Sequence, residues 1–394
     1  MLNLEYPIER VVNRDDIYER IISEIQDVYR STPDDTCWMI GYSGGKDSTV
    51  LLNLVWTAIE RLEERRTFVH VVCNDTLVEN PLITDYVIES MDNINRISKD
   101  MGLPFKATMT NPKINQSFWV CIIGKGYLAP THHMRWCVRN LKINPSVDFL
   151  KEQKSIILLG TRYAESSARK RNMERHRDNA DGLLSPHLTN KLHKIYCPIR
   201  DLNLGEIWYI LNQWNTPWLK DQGILYKIYA DASADDYECP TIPTDSSHKS
   251  CGQSRFGCWT CTVISKNTSL TSQIAQGHTQ LQPLLDFRDK LKANRNKPEH
   301  RLPYNRRGFI CKTKEGFNCG SYTFEYRERL LNDLLALEVI TGRKLISRAE
   351  VKMIKEIWAD DKANPPKLRP NNNEAVWQKE LDDLPLSKAL GLKI

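Results

Sequence analysis

Long apolar runs are missing from this chain: none approaches the ~20 residues that a bilayer-spanning helix needs, so no membrane span is expected. Met1 to Arg20 mixes acids with bases and lacks the apolar core of a secretory signal, which points to a protein that stays in the cytoplasm. Without such a signal, the eleven cysteines do not suggest a disulfide framework; a reducing compartment leaves thiols for metal binding or catalysis. No internal repeat is evident. Glycine is scarce, 18 in 394 residues, yet two stand side by side at Gly44 and Gly45. Net charge is small at +6, but it is uneven: from Arg288 to Lys314 ten Lys/Arg face only Asp289 and Glu299, so that stretch alone exceeds the charge of the whole chain. The length allows one large core domain and one smaller unit.

What is present begins with Ser43-Gly44-Gly45-Lys46-Asp47-Ser48, between the apolar run Cys37 to Tyr42 and the helical pattern Thr49 to Arg61. Paired glycines at a strand-to-helix turn admit positive φ and close approach of a ligand, and the first N–H groups of the helix favour an anion there. Lys46 adds a point charge, Ser43 and Ser48 add hydroxyl donors, and Asp47 makes sense as a ligand of Mg2+ arriving with a nucleotide. The Walker spacing is absent, because that loop requires four residues between its glycine and Gly-Lys-Ser/Thr. These six residues resemble the SGGxDS signature of the PP-loop ATP pyrophosphatases. The resemblance implies that the loop grips the β and γ phosphates of ATP, so that the α phosphorus is attacked and pyrophosphate leaves.

Periodicity predicts an α/β fold with a doubly wound, mostly parallel sheet. A helix follows Asn13 through Ile17, Ile21, Ile25 and Val28; strands are expected at 37–42, 68–73, 105–109 and 156–160, with a helix at 83–100. Loops after parallel strands face a ligand crevice, which places Asp75 with Glu79 just beyond it, and Gly160-Thr161-Arg162, near the nucleotide, with Arg169 further along. Residues 174–194 read as a polar excursion, and Asn203 to Glu206 as a capping signal before a packed helix. The expected division is a PP-loop domain over 1–230, a cysteine-rich loop over 231–264 and a basic, then helical, region over 265–394. Within that region helices are expected from Thr323 and from Ser347, then a linker at 361–375.

Cys251-x6-Cys258-x2-Cys261 is the densest cysteine group. A two-residue gap lets two thiolates turn onto one metal or cluster, and Gly252 and Gly257 relax the backbone to bring in the third. The fourth ligand is Cys239 or Cys137, and spacing alone does not separate zinc from iron–sulfur.

Arg135-Trp136-Cys137 with Leu141 to Pro145, the Gly160-Thr161-Arg162 loop and Phe256 to Thr262 together resemble the DndC-type sulfurtransferases of bacterial DNA phosphorothioation and the shorter SspD type, PP-loop enzymes akin to the PAPS reductases. The similarity runs from about Ile17 to Leu337. By analogy with adenylyl-sulfate reductases, it implies a [4Fe-4S] cluster on Cys137, Cys251, Cys258 and Cys261, with Cys239 as reserve ligand or sulfur carrier.

The resemblance further implies an enzyme that adenylylates a DNA backbone phosphate and then replaces a non-bridging oxygen by sulfur. Lys46 and the glycine loop would hold the leaving pyrophosphate, Asp47 would act with Mg2+, and Arg162 or Arg169 would neutralise the acceptor. ATP, Mg2+ and the cluster are the expected cofactors. DNA, a cysteine desulfurase supplying persulfide sulfur, and other phosphorothioation-system proteins are the expected partners; a homo-oligomer is left open. Arg306 and Arg307, beside Tyr304 and Phe309, mark the candidate DNA track. The rivals are a phosphoadenylyl-sulfate reductase, a tRNA thiolation enzyme and a zinc-stapled nucleic-acid-binding module. The reductase reading calls for a nucleophilic cysteine at the extreme C-terminus, whereas the last one here is Cys319.

Overall fold

A computed structural model describes residues 14–150, 153–165, 182–187, 192–232, 257–312, 316 and 318–369. Its sheet is built from six short strands, β1 (Cys37–Gly41), β2 (Val69–Asn74), β3 (Phe105–Thr110), β4 (Ser155–Leu158), β5 (Leu184–Pro186) and β6 (His193–Tyr196), of which β1, β2 and β4 are mostly apolar and buried on both faces. Six strands lie in the order β3-β2-β1-β4-β6-β5. All neighbours are parallel except β5 and β6. Alternation along β1 sends Trp38 and Ile40 into the large core with α1 (Arg14–Arg30), α2 (Lys46–Glu60) and α3 (Pro81–Asp100). Met39, on the other face, joins Val72, Ile157 and Phe149. A near-continuous apolar strand is what a parallel sheet covered on both sides demands.

Helix α2 is apolar almost all round because it is enclosed. Leu51, Leu52, Val55 and Trp56 are fully buried, and Trp56 stacks on Phe105 with ring centroids 4.7 Å apart. A helix buried on every side holds its N-terminus in a fixed place relative to the sheet.

Between β3 and β4 the chain makes a π-helical turn at Val120–Gly124, a short α4 (Trp136–Val138), a second π-helical turn at Arg139–Ile143, and α5 (Asn144–Leu150). After β6 come α6 (Leu204–Gln213), α7 (Ile224–Ala232), α8 (Thr268–Ala275), α9 (Gln282–Asn294), α10 (Phe324–Thr341) and α11 (Arg348–Ala363). A second core joins Trp119 to Ile123 and Trp136 with Trp259, Phe287, Tyr326, Leu334 and Trp358. The helical C-terminal part is thus built on residues 118–141 as well as on the chain after Trp259.

Three stretches of the chain differ from the sequence reading. The polar stretch 174–194 contains β5 and the start of β6, too short to leave an alternating pattern. Helices α8 and α9 lie in the stretch after Thr262 read as basic and Pro-interrupted, ahead of the expected helices. Helix α11 runs through Ala363, into the expected linker. No helix among the described residues is long and apolar enough to cross a membrane.

Candidate functional site

The strand order reverses direction between β1 and β4, and the loops leaving those two strands meet there, which is where open parallel sheets bind ligands. The β1 loop needs its glycines. Gly44 has φ +70, and a Cβ there would run into Val87 Cγ2 and lie 3.0 Å from Tyr86 Cε1 on α3. Gly45 precedes α2 in extended conformation and gives the helix no side-chain cap. The uncapped end leaves backbone N–H groups for a ligand. One exception is the Lys46 N–H, which donates to Tyr229 Oη at 3.2 Å.

Ser48 braces the loop. Its Oγ donates to Gly45 O at 3.0 Å and accepts from Ser43 N at 3.2 Å, and the Ser43 hydroxyl lies 3.3 Å away. Lys46 is only 9% exposed, with Nζ 3.9 Å from Asp47 Oδ2 and 4.8 Å from the Tyr229 ring centroid. Across the crevice Arg162, 4% exposed, donates from Nε to Asp47 Oδ1 at 2.6 Å and from NH1 to Leu202 O at 3.1 Å. Gly160 allows this approach: a Cβ there would lie 3.2 Å from Asp47 O. One carboxylate therefore sits between two cations at the N-terminus of α2. The sequence-predicted Gly44, Gly45, Lys46, Asp47, Ser48, Gly160 and Arg162 are brought together; Arg169 lies outside the described residues.

Asp75 follows β2 at the same edge of the sheet. Its Oδ1 accepts from Leu77 N at 2.8 Å, and burial pushes its carboxyl up. The next residues form the wall that receives the cysteines. Glu79 pairs as an isolated antiparallel bridge with Cys258, and Trp259 N donates to Val78 O at 3.0 Å. Cys258 Sγ lies 3.5 Å from Thr76 Oγ1 and 3.8 Å from Glu79 Oε1. Cys261 N donates to Cys258 O at 3.1 Å, closing the turn between the two thiols.

Burial, then the nearby Cys261, push the Cys137 thiol up to about 11; burial, then Glu79, raise Cys258 well above the ordinary thiol value. Lys142 Nζ lies 3.3 Å from Glu79 Oε1, and that carboxylate raises the ammonium in turn. Cys137 and Cys258 are thus neighbours of one Lys142–Glu79 pair, and Cys261 acts on Cys137 from the turn that follows Cys258. Cys251 and Cys239 lie outside the described residues, and among those described no group of three or more His, Cys, Asp or Glu side chains is placed to hold a metal ion.

Four arginines of the basic stretch bond within the protein. Arg288, 1% exposed, donates to the carbonyls of Cys261 and Ile264; Arg295 donates to Pro130 O and Thr262 O; Arg301 donates to Gly320 O. Arg306 is clamped on Asp361, NH2 to Oδ1 at 2.8 Å, with Arg327 on the same carboxylate at 3.0 Å. Arg307 is exposed.

Sequence reasoning missed Tyr229 and the role of Lys142. Neither carried a signal: Tyr229 reads as one more apolar position of an amphipathic helix, and Lys142 as one more surface base.

Residues 38–264 match the family described as phosphoadenosine phosphosulfate reductase domain. No curated protein matches the chain in sequence. Among solved structures, the chain is similar to phosphoadenylyl-sulfate reductase from Candida auris in a phosphate complex, at 13% identity over 58% of this chain and 93% of that one, with TM-score 0.33. It is similar to the NH3-dependent NAD synthetase of Campylobacter jejuni at 16% identity, 54% of this chain and 77% of that one, TM-score 0.33. A third likeness is to the U34-tRNA thiolase NcsA from Methanococcus maripaludis, with its [4Fe-4S] cluster, at 13% identity, 71% and 80% coverage and TM-score 0.32. Likenesses this distant say nothing about chemistry.

Proposed function

The chain belongs to the phosphoadenosine phosphosulfate reductase domain family, and from that premise we propose that it is an ATP pyrophosphatase and sulfurtransferase acting on a DNA backbone phosphate. The observation that carries the reading is the Lys46–Asp47–Arg162 arrangement at the uncapped N-terminus of α2. Such a site suits a polyphosphate: helix N–H groups and an ammonium for the outer phosphates, and a guanidinium beside the place where an acceptor anion would approach.

In the first step an oxygen of the acceptor phosphate attacks the α phosphorus of ATP, and pyrophosphate leaves toward Lys46 and the glycine pair. Arg162 offsets the repulsion between the two anions, because its charge is fixed and buried where water does not screen it. Asp47, whose side chain is 25% exposed, is the oxygen donor suited to Mg2+. Bound with the nucleotide, that ion supplies charge neutralisation at the phosphates. In the second step the outer sulfur of a persulfide attacks the adenylylated phosphorus and AMP departs with the former non-bridging oxygen, giving a P–S–S–R adduct; a second thiolate then attacks the inner sulfur, which breaks the S–S bond, forms a disulfide and leaves the sulfur on phosphorus. Cys137, Cys258 and Cys261, at the neighbouring edge, are the thiols suited to present that sulfur or to share a [4Fe-4S] cluster with Cys251. The described residues alone make no cluster site, and the chemistry above needs a persulfide and a second thiol.

Lys46→Ala should abolish pyrophosphate release from ATP in the presence of DNA while the protein stays folded; retained release would reject the assignment. Digested DNA from cells with and without the gene, read by mass spectrometry for phosphorothioate dinucleotides, tests the acceptor. Sulfur in tRNA instead would move the reading to tRNA thiolation.

A further inference from the structure

We infer that Tyr229, on α7 and far in sequence from the phosphate loop, is the positioning residue for Lys46, through its ring rather than its hydroxyl. The inference rests on the ATP reading above. A lysine is a point charge on a flexible stem, and it grips a phosphate well only if its freedom is restricted beforehand. Here Nζ sits 4.8 Å from the centroid of the Tyr229 ring, within reach of a cation–π contact. The ring is itself fixed: Tyr229 is buried, and Trp208 meets it edge-on at 5.4 Å. The hydroxyl acts at the other end of the same residue, taking the Lys46 backbone N–H at 3.2 Å. It lies so close that a Cβ on Gly45 would come within 3.2 Å of it.

These two contacts have opposite consequences for an anion. The ring aims the ammonium, which favours binding. The hydroxyl occupies the first N–H of α2, one of the donors a phosphoryl oxygen would use, which does not. Affinity for the phosphates therefore depends on the aromatic face, and the hydroxyl is dispensable.

The test is calorimetric titration of the full chain with Mg-ATP and, separately, with inorganic pyrophosphate, using Tyr229→Phe and Tyr229→Leu, with melting temperatures as the folding check. Phe keeps the ring and should bind both probes as tightly as the parent or tighter. Leu should bind about tenfold more weakly, the order of magnitude of a partly desolvated cation–π contact. Where Leu does not fold, Tyr229→Met takes its place with the same expectation. Unchanged affinity in a folded Leu or Met variant overturns the inference, and so does a Phe variant as weak as Leu, which would assign the effect to the hydroxyl. A parent protein that binds neither probe sinks the ATP reading itself, and the inference with it; a parent that binds while the variants do not differ sinks only the inference.

Discussion

Arg162 Nε donates to Asp47 Oδ1 at 2.6 Å, so the loop that leaves β4 is fastened to the first turn of the helix that leaves β1. The bond joins the two sides of the crevice at its base. Arg162→Ala would leave Asp47 with Lys46 as its remaining ion-pair partner at 3.9 Å, and would remove the donor to Leu202 O. Losing a charge-assisted bond at this depth costs about 1–3 kcal/mol of stability, visible as an earlier urea midpoint. Arg162→Lys restores the charge without the fork and should recover less than half of that loss, with pyrophosphate release still depressed about a hundredfold.

Gly44→Ala separates strain from function. Gly44 and Gly102 both have positive φ, but a Cβ on Gly102 meets nothing within 4 Å, whereas one on Gly44 would press into Val87 and Tyr86. Gly102→Ala should cost about 1 kcal/mol, the backbone penalty alone. Gly44→Ala should cost at least about 2 kcal/mol more, since overpacking adds to strain, and should abolish ATP binding as well. Equal denaturation midpoints for the two variants would show that the Val87 side chain yields freely.

Much of this arrangement was legible because it depends on local pattern. Phe68 to Cys73 and Ile156 to Gly160 are apolar runs that read as buried strands, and β2 and β4 form there; Gly44-Gly45 between an apolar run and a helical pattern marked the turn into α2. The cysteine neighbourhood was visible in part: Cys258 and Cys261 announce themselves by spacing, and Cys137 stood beside Cys239 as a candidate that the resemblance favoured. What could not be read depends on tertiary partners. Charge counting along 288–314 does not distinguish a guanidinium facing solvent from one buried on carbonyl oxygens, which is where Arg288, Arg295 and Arg301 go. The π-helical turns at Val120–Gly124 and Arg139–Ile143 differ from α-helix by one residue per turn, too little for apolar periodicity to register.

Arg306 and Arg307 are adjacent but should behave differently when reversed to Glu. Arg306 shares Asp361 with Arg327, so Arg306→Glu puts two carboxylates together and should destabilise the α10–α11 region by about 1–3 kcal/mol. Arg307, by contrast, is exposed to solvent. If DNA runs over this face, Arg307→Glu weakens binding and lowers the slope of log affinity against log salt by about one. A salt slope unchanged in Arg307→Glu would remove this residue from the track.

Stability should fall on mild acidification, and His70 gives the sign. Its ring sits between Phe68 and Phe149, Nδ1 is buried without a hydrogen-bond partner, and burial, followed by the charge of Lys106, depresses its pKa below 6.5. Burial likewise depresses His187 and His193. Above pH 6.5 these rings are neutral in both the folded and unfolded chain and cost nothing. As pH drops below 6.5 the unfolded chain takes up protons first, so the equilibrium shifts toward it until the depressed folded values are passed. Urea unfolding at pH 7.5 and 5.5 should therefore show a lower midpoint at the acid value. His70→Phe keeps an aromatic ring between the same neighbours and removes one titrating group, so its midpoint should fall less over that interval; a drop as large as the parent's would mean that His70 ionises freely in the folded protein.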